Sequence, residues 1–78
     1  MLKGIVMDYT VNFLWDSEAN VWIALSDDII GLALESESLD KLMKRVELAV
    51  PELLELNSQA PAKNLEFKCN LRRQLAYV

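Results

Sequence analysis

The stretch "VNFLWDSEANVWIALSDDIIGLALESESLDKL", residues 11–42, contains the turns that decide the fold. Its polar segment "DSEAN", residues 16–20, lies between two β-prone apolar runs and predicts a hairpin. The first run belongs to a strand over residues 4–15, because apolar side chains recur there with a period of two. The residues that share this apolar face are Ile5, Met7, Tyr9, Val11, Phe13 and Trp15.

The second strand, residues 21–26, has apolar residues on both faces. Val21, Ile23 and Leu25 alternate with Trp22 and Ala24, so either set is a candidate for the core side. Such a strand is expected to be central and covered on both faces. Residues 32–36, "LALES", predict a third strand.

A helix is expected to begin after Ser38, whose hydroxyl can accept a hydrogen bond from a free N–H of the first turn. Pro51 interrupts the helical spacing and predicts a kink rather than an end, because "PELLEL" resumes the pattern. Residues 57–64 read as a loop. Helical spacing links Leu39, Leu42, Met43, Val46, Val50 and Leu53, and a last strand places Leu65, Phe67, Cys69, Leu71, Leu75 and Tyr77 on one face.

The predicted order is therefore β-β-β-α-β, an α+β fold in one domain over residues 1–78. An antiparallel three-stranded meander is followed by a crossover helix and a fourth strand, and the helix packs its apolar side on the sheet. The chain is short and 53% apolar. Part of that apolar surface is expected to be buried against a second copy, so a homodimer is predicted, with a sheet edge as its seam.

Charge is distributed unevenly along the chain. Residues 4–40 contain eight acidic residues and no Lys or Arg, whereas residues 41–78 contain seven basic and four acidic residues. The first half should repel phosphate and attract basic surfaces, although acidic side chains also simply solvate the outer face of a sheet. No signal peptide or membrane span is evident, and the single cysteine fits a reducing cytoplasmic setting.

The residue types available for catalysis are few. The chain has no histidine, so the commonest general base and zinc ligand is missing. Cys69 lies on an apolar strand face and is expected to be packing rather than a nucleophile. With only Gly4 and Gly31 there is no phosphate-binding loop. Neither an enzyme nor a cofactor is predicted.

The remaining candidates for metal or nucleic-acid binding are acidic and basic side chains. Asp8 points to the polar face of the first strand. Asp27 and Asp28 are adjacent at the end of the second strand, so on an extended strand they point to opposite faces and cannot easily share one cation. No metal site is predicted. Lys68 and Arg72 share a face of the last strand and leave RNA binding open, but they form a weak electrostatic footprint. Trp15 and Trp22 are expected to cover the core, with base stacking as the minor alternative.

Residues 9–57 resemble the N-terminal domain of HicB-like antitoxins, in particular a short branch with "VW.A.SDD..GL" followed by "PELLELN". Trp22 and Ala24 occupy the aromatic and small positions of that pattern. Three residues of the following loop match the Asp, Leu and Gly of the family motif "PDLPG", and the next two open the family's helix. The matching residues are Asp28, Ile29, Gly31, Ser38 and Leu39.

The resemblance implies a truncated ribonuclease-H-like fold whose nuclease carboxylates are lost. It also implies the role of an antitoxin that dimerises and covers the catalytic histidine of a small basic ribonuclease toxin. The partner-binding residues are then expected in and beside the loop after the second strand. They are Trp22, Asp27, Asp28, Ile29 and Gly31.

This sequence departs from the family pattern in two respects. Asp27 and Ile30 replace the two prolines of the motif, so a less rigid loop is expected. The usual C-terminal DNA-binding segment is not recognisable, so direct DNA binding is not expected. The alternative functions are a solitary regulatory or structural homodimer and a small RNA-binding protein.

Overall fold

The computed structural model describes residues 4–71 and Leu75. Their elements are β1 (Met7–Asp16), β2 (Val21–Leu25), β3 (Ala33–Ser36), α1 (Leu39–Leu56) and β4 (Ala62–Asn70). The fold is α+β, and the order predicted from the sequence is confirmed for this part of the chain. The segment predicted to continue the last strand through Arg72 and Tyr77 lies largely outside the described residues.

The four strands form one mixed sheet in the order β3-β2-β1-β4. β1 pairs antiparallel with β2, and β2 pairs antiparallel with β3, which gives the predicted meander. β4 pairs parallel with β1. A parallel neighbour requires a crossover connection, and α1 provides it by carrying the chain from one edge of the sheet to the other.

The apolar face of β1 forms the middle of the core. Tyr9, Val11 and Phe13 are buried, as their alternation predicts. Ile5 lies before the strand and is 48% exposed, and Met7 is 51% exposed, so the core is shorter than the predicted face. Ile5 borders an open cavity of about 620 Å³ between α1 and the 58–62 segment.

β2 turns Trp22 and Ala24 towards the core. Ala24 is fully buried and Trp22 packs against the buried cluster, whereas Leu25 on the opposite face is 40% exposed. The open choice of inward face is thereby decided. β2 is central in the strand order, but the expectation that it is covered on both faces is wrong for the described residues. In this part of the chain, α1 packs only on the face of the sheet that carries Ala24.

α1 begins as its sequence predicts. The Ser38 side chain accepts a hydrogen bond from the Lys41 N–H at 3.3 Å. Asp40 lies in the first turn, where a negative charge complements the helix dipole. Pro51 is inside the helix, which continues for five more residues to Leu56. The fully packed side chains of this helix recur every fourth residue and are Leu42, Val46, Val50 and Leu54.

β4 contributes less to the core than its alternation predicts. Leu65 and Phe67 are partly buried, and the Phe67 ring packs edge-on against Phe13 with centroids 4.9 Å apart. Cys69 is exposed, so the prediction that it is a packing residue is wrong. It lies one residue from the end of an edge strand, where no second layer reaches it. Leu75 is 84% exposed and lies outside any strand.

No helix in the described ranges is long and apolar enough to cross a membrane.

Candidate protein-binding site

The loop between β2 and β3, residues 26–32, is organised around one hydroxyl group. Ser26 Oγ donates to the Thr10 carbonyl at 2.6 Å and accepts from the N–H groups of Asp28 and Ile29 at 3.0 and 3.1 Å. A serine that bonds the backbone two and three residues ahead stabilises a turn. The same hydroxyl therefore shapes the 26–32 loop and attaches it to β1.

The Asp28 carboxylate makes a second attachment to β1. Asp28 Oδ2 accepts a hydrogen bond from the Thr10 N–H at 3.0 Å. Thr10 lies where β1 extends beyond the end of β2, so this side chain and that of Ser26 take the place of a missing backbone partner. Asp28 is exposed, but its carboxylate already accepts this hydrogen bond from Thr10.

Two side-chain amides hold the opposite side of the loop. Gln59 Nε2 donates to the Asp28 carbonyl at 2.8 Å, and Gln59 Oε1 accepts from the Ile30 N–H at 3.1 Å. Asn57, which follows α1, donates from Nδ2 to the Ile30 carbonyl at 3.1 Å. The two prolines of the family motif are absent, and these three hydrogen bonds restrain the loop in their place. The less rigid loop expected from the sequence stays a prediction.

The loop presents one acidic and one apolar side chain to solvent. Asp27 is exposed and makes no hydrogen bond or ion pair to any described residue. Ile30 is 59% exposed although both of its backbone groups are bonded. Ile29 is only 1% exposed. The prediction of Ile29 as a partner-binding residue is therefore corrected, because it packs in the core and its neighbour Ile30 faces outward.

Gly31 has a φ of +83°, in the left-handed region that favours glycine. It lines a shallow groove of about 260 Å³ between the start of β3 and the second half of α1. The groove is mainly apolar and has one carboxylate, that of Glu52. Its walls are formed by Gly31, Leu32, Ala33, Leu34, Ala49, Glu52, Leu53 and Leu56.

Trp22 lies apart from this loop, at the other end of β2. Its ring packs edge-on against Trp15, with centroids 5.5 Å apart, and it contacts the core. Both indoles are partly buried. Trp22 covers the core as predicted, whereas Trp15 contacts the Trp22 ring. The structure does not bring Trp22 together with Asp27 and Gly31.

The carboxylates do not assemble a cation site in the described ranges, where no group of three potential metal ligands occurs. Asp8 and Asp28 do line the same small cleft, of about 340 Å³, with Met7, Tyr9, Gln59 and Ala60. Asp8 Oδ1 accepts from Asn64 Nδ2 at 3.0 Å, and Asp28 is bonded to Thr10. Both carboxylates thus have structural partners.

RNA binding by the last strand would depend on the positive charge of Lys68, which has an acidic neighbour in β4. Lys68 Nζ lies 3.5 Å from Glu66 Oε1, and both side chains are well exposed. This proximity offsets the positive charge that Lys68 would offer to phosphate. Arg72, its predicted companion, lies outside the described residues.

Sequence reasoning missed Asn57, Gln59 and Ile30. Asn57 could have been predicted to end the helix, because asparagine commonly follows the last apolar residue of a helix. The contact of Gln59 with the 26–32 loop has no local signal, because it joins residues about thirty positions apart. Only the fold brings these segments together.

A family model described as "Domain of unknown function (DUF1902)" matches residues 8–78. A solved structure, of hypothetical protein TTHA1013 from the extremely thermophilic bacterium Thermus thermophilus, is similar with a TM-score of 0.71 and 41% sequence identity. The similarity covers 91% of this chain and 100% of that one. No curated protein matches the chain.

Proposed function

The chain belongs to the DUF1902 family, and from that premise we propose that it is a non-catalytic, antitoxin-like module that binds and inhibits a small basic ribonuclease toxin. We further propose that its α+β fold is the HicB-like form, which resembles a truncated ribonuclease H. We also propose that the protein is cytoplasmic. The observation that carries it is the 26–32 loop, which is restrained from both sides while the side chains of Asp27 and Ile30 are exposed.

Restraint matters because a binding loop that is already ordered loses little conformational entropy on association. Ser26 holds the loop to β1, and Asn57 and Gln59 hold it to the end of α1. The side chains of Asp27 and Ile30 take no part in these contacts. The order of the loop therefore does not depend on Asp27 and Ile30, the two side chains that we propose contact the partner.

The surroundings of the loop favour a basic partner with an apolar anchor. No Lys or Arg occurs between residues 4 and 40, so the field near Asp27 is not neutralised by that segment. Opposite potentials accelerate encounter and select against wrong partners. The groove beside Gly31 offers apolar walls and the Glu52 carboxylate, which suits a side chain with an aliphatic stem and a positive end.

A non-catalytic role is favoured by the chemistry of the carboxylates. Asp8 and Asp28, the acids that share a cleft, are each occupied by a hydrogen-bond donor of the chain itself. Neither has a histidine to work with, since the sequence contains none. A carboxylate fixed in this way supports the loop more readily than it serves as a general base.

The test uses the product of a short basic reading frame adjoining the gene, co-expressed and purified with this chain. Asp27→Lys should weaken association by about ten-fold and flatten its salt dependence, and it should release ribonuclease activity. Glu18→Lys is the matched control, because it makes the same charge change in the 17–20 turn at the other end of β2.

Ile30→Ala tests the apolar contact and should weaken binding by about 1–2 kcal/mol with little effect on folding. Absence of a basic neighbour that binds would reject the toxin assignment. Equal effects of Asp27→Lys and Glu18→Lys would reject the 26–32 loop as the contact.

A further inference from the structure

The two edges of the sheet differ in how well they are closed. β3 is an edge of only four residues, and its Glu35 carbonyl accepts a hydrogen bond from Arg45 Nη1 at 2.7 Å. β4 is an edge of nine residues, and no described residue pairs with its outer side. Short strands and covering charges prevent pairing between sheets, whereas a long uncovered strand invites it.

The direction of the backbone groups on β4 follows from the contacts of β1. Both the N–H and the C=O of Thr10 bond on the β2 side, so the groups of Tyr9 and Val11 point to β4. The bond from the Met7 N–H to the Pro61 carbonyl agrees with this direction. In a parallel ladder, residues opposite Tyr9 and Val11 then direct their own groups away from β1. Those residues are Leu65 and Phe67, and Cys69 follows the same alternation.

We propose that two copies of this chain pair edge to edge through antiparallel β4 strands, with the two-fold axis at Phe67, to form one continuous eight-stranded sheet. The free backbone groups of Leu65, Phe67 and Cys69 are then satisfied by the second copy. The exposed Cys69 of one copy lies opposite Leu65 of the other, which gives it apolar contact that the single chain lacks.

Charge favours this register over the two adjacent registers that also satisfy the backbone. With the axis at Phe67, each Glu66 lies opposite Lys68 of the second copy. A shift that moves the axis to position 66 places Glu66 opposite Glu66, and a shift to position 68 places Lys68 opposite Lys68. Opposite charges directly across two strands are stabilising, and like charges are destabilising.

Charge exchange tests both the seam and the register. Light scattering at tens of micromolar should give a dimer for the unaltered chain. Glu66→Lys and Lys68→Glu should each weaken dimerisation by about ten-fold or more, since two cross-strand attractions become repulsions. Glu47→Lys, on the exposed side of α1, is the control and should leave the dimer unchanged.

Mixing the two single variants distinguishes the interface from the contact within one chain. Glu66 and Lys68 also meet inside the monomer, so each single change removes that contact as well. Pairing between β4 strands makes the two variants complementary to each other, whereas the contact within one chain does not, so their mixture should recover a heterodimer. A mixture that stays monomeric, or single variants with unchanged dimerisation, would overturn the proposal.

A disulfide provides an independent readout of register. Asn64 and Asn70 face each other across the proposed axis in a non-hydrogen-bonded pair, whose Cα atoms are about 4.5 Å apart and within disulfide reach. Within one chain they lie six residues apart on a strand, about 20 Å, so any bond must join two copies. Asn64→Cys with Asn70→Cys, in a Cys69→Ser background, should give a covalent dimer on oxidation. A monomer after oxidation would refute the register.

Pairing through β4 and binding of a toxin by the 26–32 loop are independent of each other. A dimer that fails to bind a basic protein supports the seam and rejects the proposed function, and a monomer that binds one does the reverse.

Discussion

Gly31 shows how a single backbone angle constrains the candidate site. Its φ of +83° lies in the left-handed region, and an added Cβ would meet only Leu53 Cδ2 at 3.7 Å, an ordinary contact. The cost of a side chain is therefore conformational rather than steric. We expect Gly31→Ala to lower the free energy of unfolding by about 1–2 kcal/mol, Gly31→Asn to cost less and Gly31→Val to cost more. Urea denaturation of the three variants measures the ranking, and an alanine variant as stable as the parent would contradict it.

Ser26 shows how much of the same loop depends on one oxygen atom. Ser26→Ala removes a donor to Thr10 and the acceptor for two backbone N–H groups. We expect a loss of about 1–3 kcal/mol in the free energy of unfolding, because a partly buried carbonyl is left without its partner. Ser26→Thr keeps the hydroxyl and is the matched control in thermal denaturation. Similar losses for Ala and Thr would mean that the hydroxyl is not the cause.

At the scale of elements, the 26–32 loop is coupled to the end of α1 by two amide side chains. Gln59 Oε1 accepts from the Ile30 N–H, whereas Asn57 bonds the Ile30 carbonyl. Gln59→Ala should therefore accelerate hydrogen exchange at the Ile30 amide by about ten-fold or more, and Asn57→Ala should have a smaller effect at that amide. Exchange measured by NMR checks the difference. Equal acceleration would show that the two side chains act only by general loosening.

Elements were more predictable than the contacts between them. Alternation along β1 and four-residue spacing along α1 reflect burial directly, so Val11, Phe13 and Leu42 could be placed in the core from the sequence. The choice between the faces of β2 could not be made, because both are apolar and only the position of α1 decides it. The outward turn of Ile30 has the same origin, since Gln59 acts on it from a distant part of the chain.

At the scale of the whole molecule, the described residues place one helix on one face of the sheet and leave apolar surface on the other. Leu14, Ile23 and Leu25 occupy registered positions on that outer face, and Leu14 and Leu25 are 36% and 40% exposed. This accounts for an apolar fraction of 53% in a chain with a small core. The composition predicted that part of the apolar surface is buried against a second copy, which stays a prediction, and it could not indicate which face or edge carries that surface.

The small core makes the molecule sensitive to loss of volume beneath the helix. Leu42 is fully buried and Leu48, on the same helix, is 76% exposed. Leu42→Ala should lower the free energy of unfolding by about 2–5 kcal/mol, since it removes buried methyl groups and leaves a cavity. That is a large share of the roughly 5–15 kcal/mol that stabilises a typical domain. Leu48→Ala, with the same change in side chain and helix propensity, should stay within about 0.5 kcal/mol. Chemical denaturation of both variants tests the packing of α1 on the sheet, and equal losses would show that Leu48 is covered in solution, by a second copy or by a partner.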